Sequence, residues 1–240
     1  MRCLAILALI SSACIALCNT AKSETISLAT QEWPPYHTAM SGKIDGISVR
    51  VIRCALERIG FSADIAIFPW AEAQQRVRDG KSDGFFSAAR NAQRDAFATR
   101  SKGIAPQTWR WYWPEGRQVN LEDRETKIVV QSGTAMQQWL TDNGYKHVQA
   151  VETTQDVIAL VKQGTVDVAL ASQLSFELGM MVSGIKEASI SSQLLWSGTL
   201  GVYFGKEFLE RHPTFLARFN AEIPSCRVGA RIPETDSSAE

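Results

Sequence analysis

Ala63-Asp64-Ile65-Ala66-Ile67-Phe68-Pro69-Trp70 is the stretch on which the fold turns. Ala63 to Phe68 suits a strand, and Pro69-Trp70 converts it at once into a helix, because proline at the first helical turn has the right φ and no needed N–H to lose. Upstream, after Asp45-Gly46, the apolar residues Ile47, Val51, Ile52, Ala55, Leu56 and Ile59 recur at helical spacing, and Gly60 supplies a C-terminal cap. Before them, Thr25 to Ala29 reads as a strand. It must stop at Trp33-Pro34-Pro35-Tyr36, since two prolines suit neither a helix interior nor a central strand. Downstream, Gly80 closes the second helix and Gly84 to Ser87 forms a third strand. Strand, helix, strand, helix, strand is the pattern of an open parallel sheet covered by helices.

The pattern begins again further on. Lys127 to Gln131, His147 to Val151 and Val166 to Ala171 read as strands, with helices over Thr134 to Asn143 and Thr154 to Gln163 between them. The α/β chain therefore holds two similar units, each an open sheet flanked by helices. Between them lies the extended aromatic run Thr108-Trp109-Arg110-Trp111-Tyr112-Trp113, ended by Pro114-Glu115-Gly116. It reads as the outgoing crossover, and most of its aromatic rings are expected to pack at the hinge. The β-rich segment Thr199 to Phe204 is the natural return. A last helix around Pro213 to Ala221 precedes a tail, starting at Pro224, that is expected to be poorly ordered. The resulting division is 24–110 for the first part of lobe 1, 111–198 for lobe 2, and 199–240 for the return to lobe 1 and the tail.

The N-terminus carries Arg2, an apolar run of 14 residues from Leu4 to Leu17, and Ala21-Lys22-Ser23. That is the layout of a cleaved secretory signal, with cleavage expected after Ser23. The run is shorter than the ~18–20 residues a spanning helix needs. Processing leaves 23 basic against 25 acidic side chains, with no basic stripe, so the electrostatic footprint of a nucleic-acid or anionic-membrane binder is missing. Of five cysteines only Cys54 and Cys226 lie beyond the signal; they form either a disulfide in an oxidising compartment or two separate thiols. Three histidines (His37, His147, His212), no CxxC and no paired His/Cys spacing argue against a metal site, and nothing calls for a cofactor.

The order Glu32-Trp33-Pro34-Pro35-Tyr36, Gly42 to Gly46, Gly60, Pro69-Trp70, Gly80-x-x-Asp83, Arg94 and Ser101, followed by Gly133-Thr134 and Gly164-x-x-Asp167, resembles the family 3 periplasmic solute-binding proteins. These are the polar amino-acid receptors of ABC importers. The resemblance covers roughly residues 25–220. It implies a type II, two-lobed periplasmic-binding fold with two hinge crossovers, and a monomer that closes on a small solute and meets an inner-membrane ABC permease. Strand-end loops line the cleft of such an open α/β protein. The resemblance places Trp33 and Tyr36 on a first binding loop, with Trp70 at the cleft or in lobe 1 packing. It gives Ser87 and Arg94 the substrate carboxylate, which suits the planar two-pronged guanidinium. Arg90 is an alternative ligand, and Asp95 or Asp83 could instead pair Arg94 at the surface. Thr134 stands at a helix start, where free N–H groups welcome an anion.

One position departs from the family. Where amino-acid receptors carry an aspartate for the solute's α-ammonium group, this chain has Ser172, which cannot neutralise a buried cation. Glu177 or Glu32 could substitute, or the solute lacks the ammonium group. The last helix also departs, stopping at Ile223-Pro224-Ser225-Cys226. Two other functions fit the same fold. An exported dehydratase-like enzyme would need an acid in the cleft, with Glu32, Asp45 and Glu177 as candidates. A sensory or accessory binding protein would meet a receptor in place of a permease. No nucleophile elbow or metal motif is present, so the expectation is a binding protein and not an enzyme.

Overall fold

A computed structural model describes residues 23–40 and 42–227. The expected signal lies outside these residues except for Ser23, as does the tail after residue 227. In chain order the elements are β1 (Glu24–Thr30), a hairpin of β2 (Thr38–Met40) and β3 (Lys43–Asp45), α1 (Ile47–Arg58), β4 (Phe61–Ile67), α2 (Trp70–Arg78), β5 (Gly84–Ala88), a short α3 (Ala92–Asp95) and β6 (Ala98–Arg100). The long strand β7 (Ala105–Pro114) leads into β8 (Lys127–Gln131), α4 (Ala135–Asp142), β9 (His147–Val151), α5 (Thr154–Gln163), β10 (Val168–Ser172) and α6 (Gln173–Val182). The chain returns through β11 (Ile190–Gly205) to α7 (Lys206–Arg211) and α8 (Phe215–Cys226).

The strands follow the path β4-β1-β5-β11-β7-β10-β8-β9, with β6 also on β11. Each half has the same plan. β1 runs parallel to β4 and β5, and β8 runs parallel to β9 and β10. A strand from the crossover then adds antiparallel to each, β11 on β5 and β7 on β10. The crossover strands pair with each other from Ile190 against Pro114 to Leu200 against Ala105, which joins two lobes by two strands.

Strand alternation builds the core on both faces of each half-sheet. In lobe 1, Ile26, Leu28, Phe86 and Phe204 meet α1 and α8, while Ala29, Phe85 and Tyr203 meet α2. In lobe 2, Ile128, Val130 and Leu170 meet α4, while Val129 and Ala169 meet α5 and α6. No helix among the described residues is long and apolar enough to cross a membrane.

Three expectations need correcting. The return strand starts at Ile190, not Thr199, because its first half carries exposed polar residues such as Ser192 and Gln193 that give no apolar signal. Helix α6 was absent from the sequence reading: it starts directly at the end of β10, and the Ser172 side chain makes no capping bond. The C-terminal helix does not stop at Ile223. It runs through Pro224 to Cys226, which is bonded to Cys54 of α1 across 172 residues, with Cα atoms 5.8 Å apart. Proline in a last turn removes only one helical N–H, and buried Ile223 and the disulfide hold that turn against α1.

Candidate functional site

Between the lobes lies a narrow cavity of about 20 Å³. Trp33, Trp70, Ser87, Arg94 and Thr134 all line it, joined by Gln31, Gln107, Trp109, Met136 and Leu200. Trp33 stands on the loop after β1, which turns through a cis Pro34–Pro35 bond and closes on itself where the Trp33 N–H donates to the His37 carbonyl at 2.9 Å. Gly46 lets α1 begin beneath this loop. Its φ is +148°, and a Cβ there would sit 2.3 Å from the Tyr36 carbonyl oxygen.

Arg94 lies on α3, whose N-cap Asn91 accepts from the Gln93 and Arg94 amides. Its side chain is only 3% exposed. Nε donates to Gln74 Oε1 at 2.9 Å, Nη1 to the Ala89 carbonyl at 2.8 Å and Nη2 to the Gly133 carbonyl at 3.1 Å, while the guanidinium carbon lies 5.3 Å from the Trp70 ring centre. All three acceptors are neutral, and two guanidinium N–H groups are left over. The acids that could have paired it are engaged elsewhere. Asp95 takes the Tyr203 hydroxyl and faces Arg90, and Asp83 takes Ser27 and faces Arg211. Burial pulls the guanidinium down to about 10, helped by the nearby Arg100 cation and opposed by Tyr203 and the Asp95 carboxylate, which makes no direct bond to it. Arg90, the alternative ligand, has a side chain 84% exposed and points away to Asp95.

The remaining candidates are placed as follows. Ser87 has a left-handed backbone, φ +59°, and its Oγ donates to Ser48 Oγ at 2.7 Å. Thr134 caps α4, accepting from the Gln137 amide, and its hydroxyl donates to the Gln131 carbonyl. Tyr36 does not line the cavity. It is fully buried beneath Trp33, with ring centres 4.7 Å apart, and its hydroxyl donates to the Pro106 carbonyl at 3.0 Å. Desolvation raises that phenol to about 12. Ser172 lies 3.5 Å from the same hydroxyl and lines a smaller cavity that shares Trp33 and Met136 with the first. Glu32, which bonds Thr38 and the Ala39 amide, does not line either cavity, and neither does Asp45, paired with Arg50, or Glu177.

Cross-cleft bonds hold the walls together. Trp70 Nε1 also donates to the Gly133 carbonyl, at 2.9 Å; Gln131 donates to Gln31; and Gln93 donates to Gln138. A polar recess of about 230 Å³ opens outward from Arg94 and Thr134, lined by Gln74, Gln93, Gln137, Gln138 and Arg78. Sequence reasoning missed Gln31, Gln107 and the cavity role of Trp109. β7 buries Ala105, Gln107, Trp109 and Trp111 on one face, and a glutamine in phase with two tryptophans was the available signal.

No family model matches this sequence, and no curated protein matches it significantly. Solved structures do. A histidine kinase sensor domain with similarity to periplasmic binding proteins superposes with a TM-score of 0.75 at 18% identity, over 86% of this chain and 91% of that one. The arginine-, lysine-, histidine-binding protein ArtJ from Geobacillus stearothermophilus gives 0.67 at 17%, over 84% and 89%. The arginine-binding protein ArgBP from T. maritima, in its holo form, gives 0.69 at 14%, over 84% and 89%. The fold is therefore that of the type 2 periplasmic binding proteins.

Proposed function

We propose that this chain is an exported solute-binding protein of the bacterial periplasm that closes on a small carboxylate-bearing solute and passes it to an inner-membrane ABC importer. It acts as a monomer, without a cofactor. Lobe 1 comprises 24–110 and the return from 199, lobe 2 comprises 111–198, and the tail follows, so the lobe boundaries fall inside β7 and β11, the two crossover strands. The observation that carries the reading is Arg94. A buried guanidinium with only neutral hydrogen-bond acceptors is costly unless an anion joins it, and it keeps two unused N–H groups, one on each terminal nitrogen, with which to receive a carboxylate. The neighbours named for arginine binding support a solute-binding role on this fold.

The test is a thermal-shift screen with amino acids and organic acids, followed by calorimetry on the best hit; a ligand at ~100 times its Kd adds ~2.7 kcal/mol of stability. Charge-assisted bonds contribute ~1.5–3 kcal/mol, so Arg94→Ala weakens binding roughly ten- to a hundredfold or more, Arg94→Lys restores it only in part, and Arg90→Ala leaves it unchanged. Binding by folded Arg94→Ala within about twofold of wild type, well inside the tenfold that ~1.4 kcal/mol represents, would move the anchor elsewhere. Trp33, Trp70 and Trp109 line the cavity, so binding also changes intrinsic fluorescence in a saturable, one-site manner.

The fold shared with a kinase sensor domain supports a second reading, in which the closed form signals to a receptor. Uptake into inner-membrane vesicles separates the two: uptake that depends on added protein favours the importer, and intact binding without uptake favours the sensor.

A further inference from the structure

We propose that the cleft selects a small hydroxy- or oxo-carboxylate over the α-amino acid of the same skeleton. The inference rests on the reading of Arg94 as an anion anchor and adds what the rest of the solute must be.

The first ground is charge. Among the described residues, the inner cavity, the adjoining cavity at Ser172 and the outer recess are lined by no aspartate or glutamate. Their only ionic side chains are Arg94 and Arg78, both cations. An α-ammonium group held next to Arg94 would be desolvated without an anion and would be repelled by the guanidinium that binds its own carboxylate. Neutral oxygens offer little compensation. The Gly133 carbonyl already accepts from Trp70 and Arg94, and the face of Trp70 is occupied by the Arg94 guanidinium.

The second ground is independent and concerns donors and acceptors. Trp33 Nε1, Trp109 Nε1 and Gln107 Oε1 are buried, belong to residues that line the inner cavity and have no hydrogen-bond partner among the described residues. Buried polar atoms in a native structure are nearly always paired, so these three define what a solute has to present. Both indoles are donors and nothing else, so the solute must bring acceptors to them. An ammonium group has three donors and no acceptor; it could serve only Gln107 and would leave both indoles orphaned. A hydroxyl accepts from an indole while donating to the glutamine carbonyl, and a keto oxygen accepts from an indole. Together with a carboxylate on Arg94, either group satisfies the wall that an amino acid would leave unsatisfied. The arginine, lysine or histidine named for the structural neighbours would bring further positive charge into a site that already has an excess of it.

The experiment is calorimetry with matched pairs on the mature protein: lactate and alanine, malate and aspartate, 2-hydroxyglutarate and glutamate, phenyllactate and phenylalanine, with arginine alongside. A site built around hydrogen bonds rejects an analogue that leaves them unmade very strongly. The hydroxy acid that binds best is therefore expected to exceed its amino partner by about a hundredfold or more. Trp109→Phe keeps an aromatic ring and removes the donor, and is expected to lower the affinity for the hydroxy acid several-fold more than that for its deoxy analogue. An Arg94-dependent site that binds an amino acid as tightly as its hydroxy partner overturns this selectivity while leaving the anion-binding reading intact. If nothing in either series binds up to ~10 mM, weaker than ~3 kcal/mol of binding free energy, the solute-binding reading itself falls and takes this inference with it.

Discussion

Lobe 1 brings to the cleft a buried guanidinium and two indoles, from Arg94, Trp33 and Trp70, whereas lobe 2 brings the Gly133 carbonyl, the Thr134 capping hydroxyl and Met136. One wall is charged and rich in donors; the other is neutral and offers acceptors. On the function proposed above, Arg94 holds the anion from the lobe 1 side, so the solute is recognised before the lobes meet and closure then adds neutral hydrogen bonds from lobe 2. The asymmetry also explains why the walls meet as they do. Two lobe 1 donors, Trp70 Nε1 and Arg94 Nη2, converge on the single carbonyl of Gly133.

The largest effect is expected from breaking the foundation of the lobe 1 wall. Gly46→Ala would place a Cβ 2.3 Å from the Tyr36 carbonyl oxygen, at a φ of +148° that side chains rarely adopt. Strain of that kind together with a backbone clash costs about 2–4 kcal/mol, which lowers the Tm by roughly 5–15 °C in a protein of this size. Calorimetric melting checks it. An unchanged Tm would mean that the loop carrying Trp33 and Tyr36 is not seated on α1 as described.

The next effect sharpens the comparison through pH. His37 is buried under the same loop against Phe86, with Nδ1–H donating to the Gln31 carbonyl at 2.6 Å and Thr30 Oγ1 within reach of Nε2. Burial pushes its imidazole down to about 3, opposed by the Gln31 carbonyl. The unfolded chain takes up this proton near pH 6.5 and the folded chain only near 3. Stability is therefore unaffected above about pH 6.5 and falls as the pH drops towards 3, by up to ~1.4 kcal/mol per pH unit. Urea unfolding from pH 7 to pH 4 should show this slope in wild type and a slope smaller by about one proton in His37→Gln. Equal slopes would remove His37 as the cause.

The lobe pattern was legible in the sequence because each half repeats strand and helix periods bounded by glycine or proline. Lys127–Gln131, His147–Val151 and Thr154–Gln163 were found to the residue. What escaped was α6, which follows β10 with no turn between them, and elements that are short or half-exposed: the β2–β3 hairpin, α3, and the first half of β11, which has no strand on its outer edge among the described residues. The site was legible where a residue stood beside punctuation, as Trp70 follows Pro69 and Thr134 follows Gly133. Gln31, Gln107 and Trp109 sit inside or just after strands, where alternation shows that a side chain is buried but not that it faces a cleft. Arg94 was legible as a residue, but its lack of a directly bonded carboxylate was not, because that depends on where Asp95 and Asp83 point.

The smallest effect tests the neutral wall alone. Gly133 has φ +66°, and a Cβ added there would approach Trp70 Cδ1, across the cleft, to 3.2 Å. Gly133→Ala therefore carries two separable penalties. The left-handed backbone costs about 1 kcal/mol whether the lobes are open or closed, so it lowers the Tm by a few degrees and cancels in binding. The contact with Trp70 exists only when the lobes are together, so it weakens solute binding, by roughly three- to tenfold if the indole yields a few tenths of an ångström. A double-mutant cycle with Trp70→Leu isolates the second penalty, because shortening that side chain removes the crowding and leaves the backbone strain in place. If Gly133→Ala weakens binding by the same factor in both backgrounds, the loss comes from the carbonyl's altered direction towards Arg94. In that case the neutral wall acts through its acceptor geometry and not through its fit against the indole.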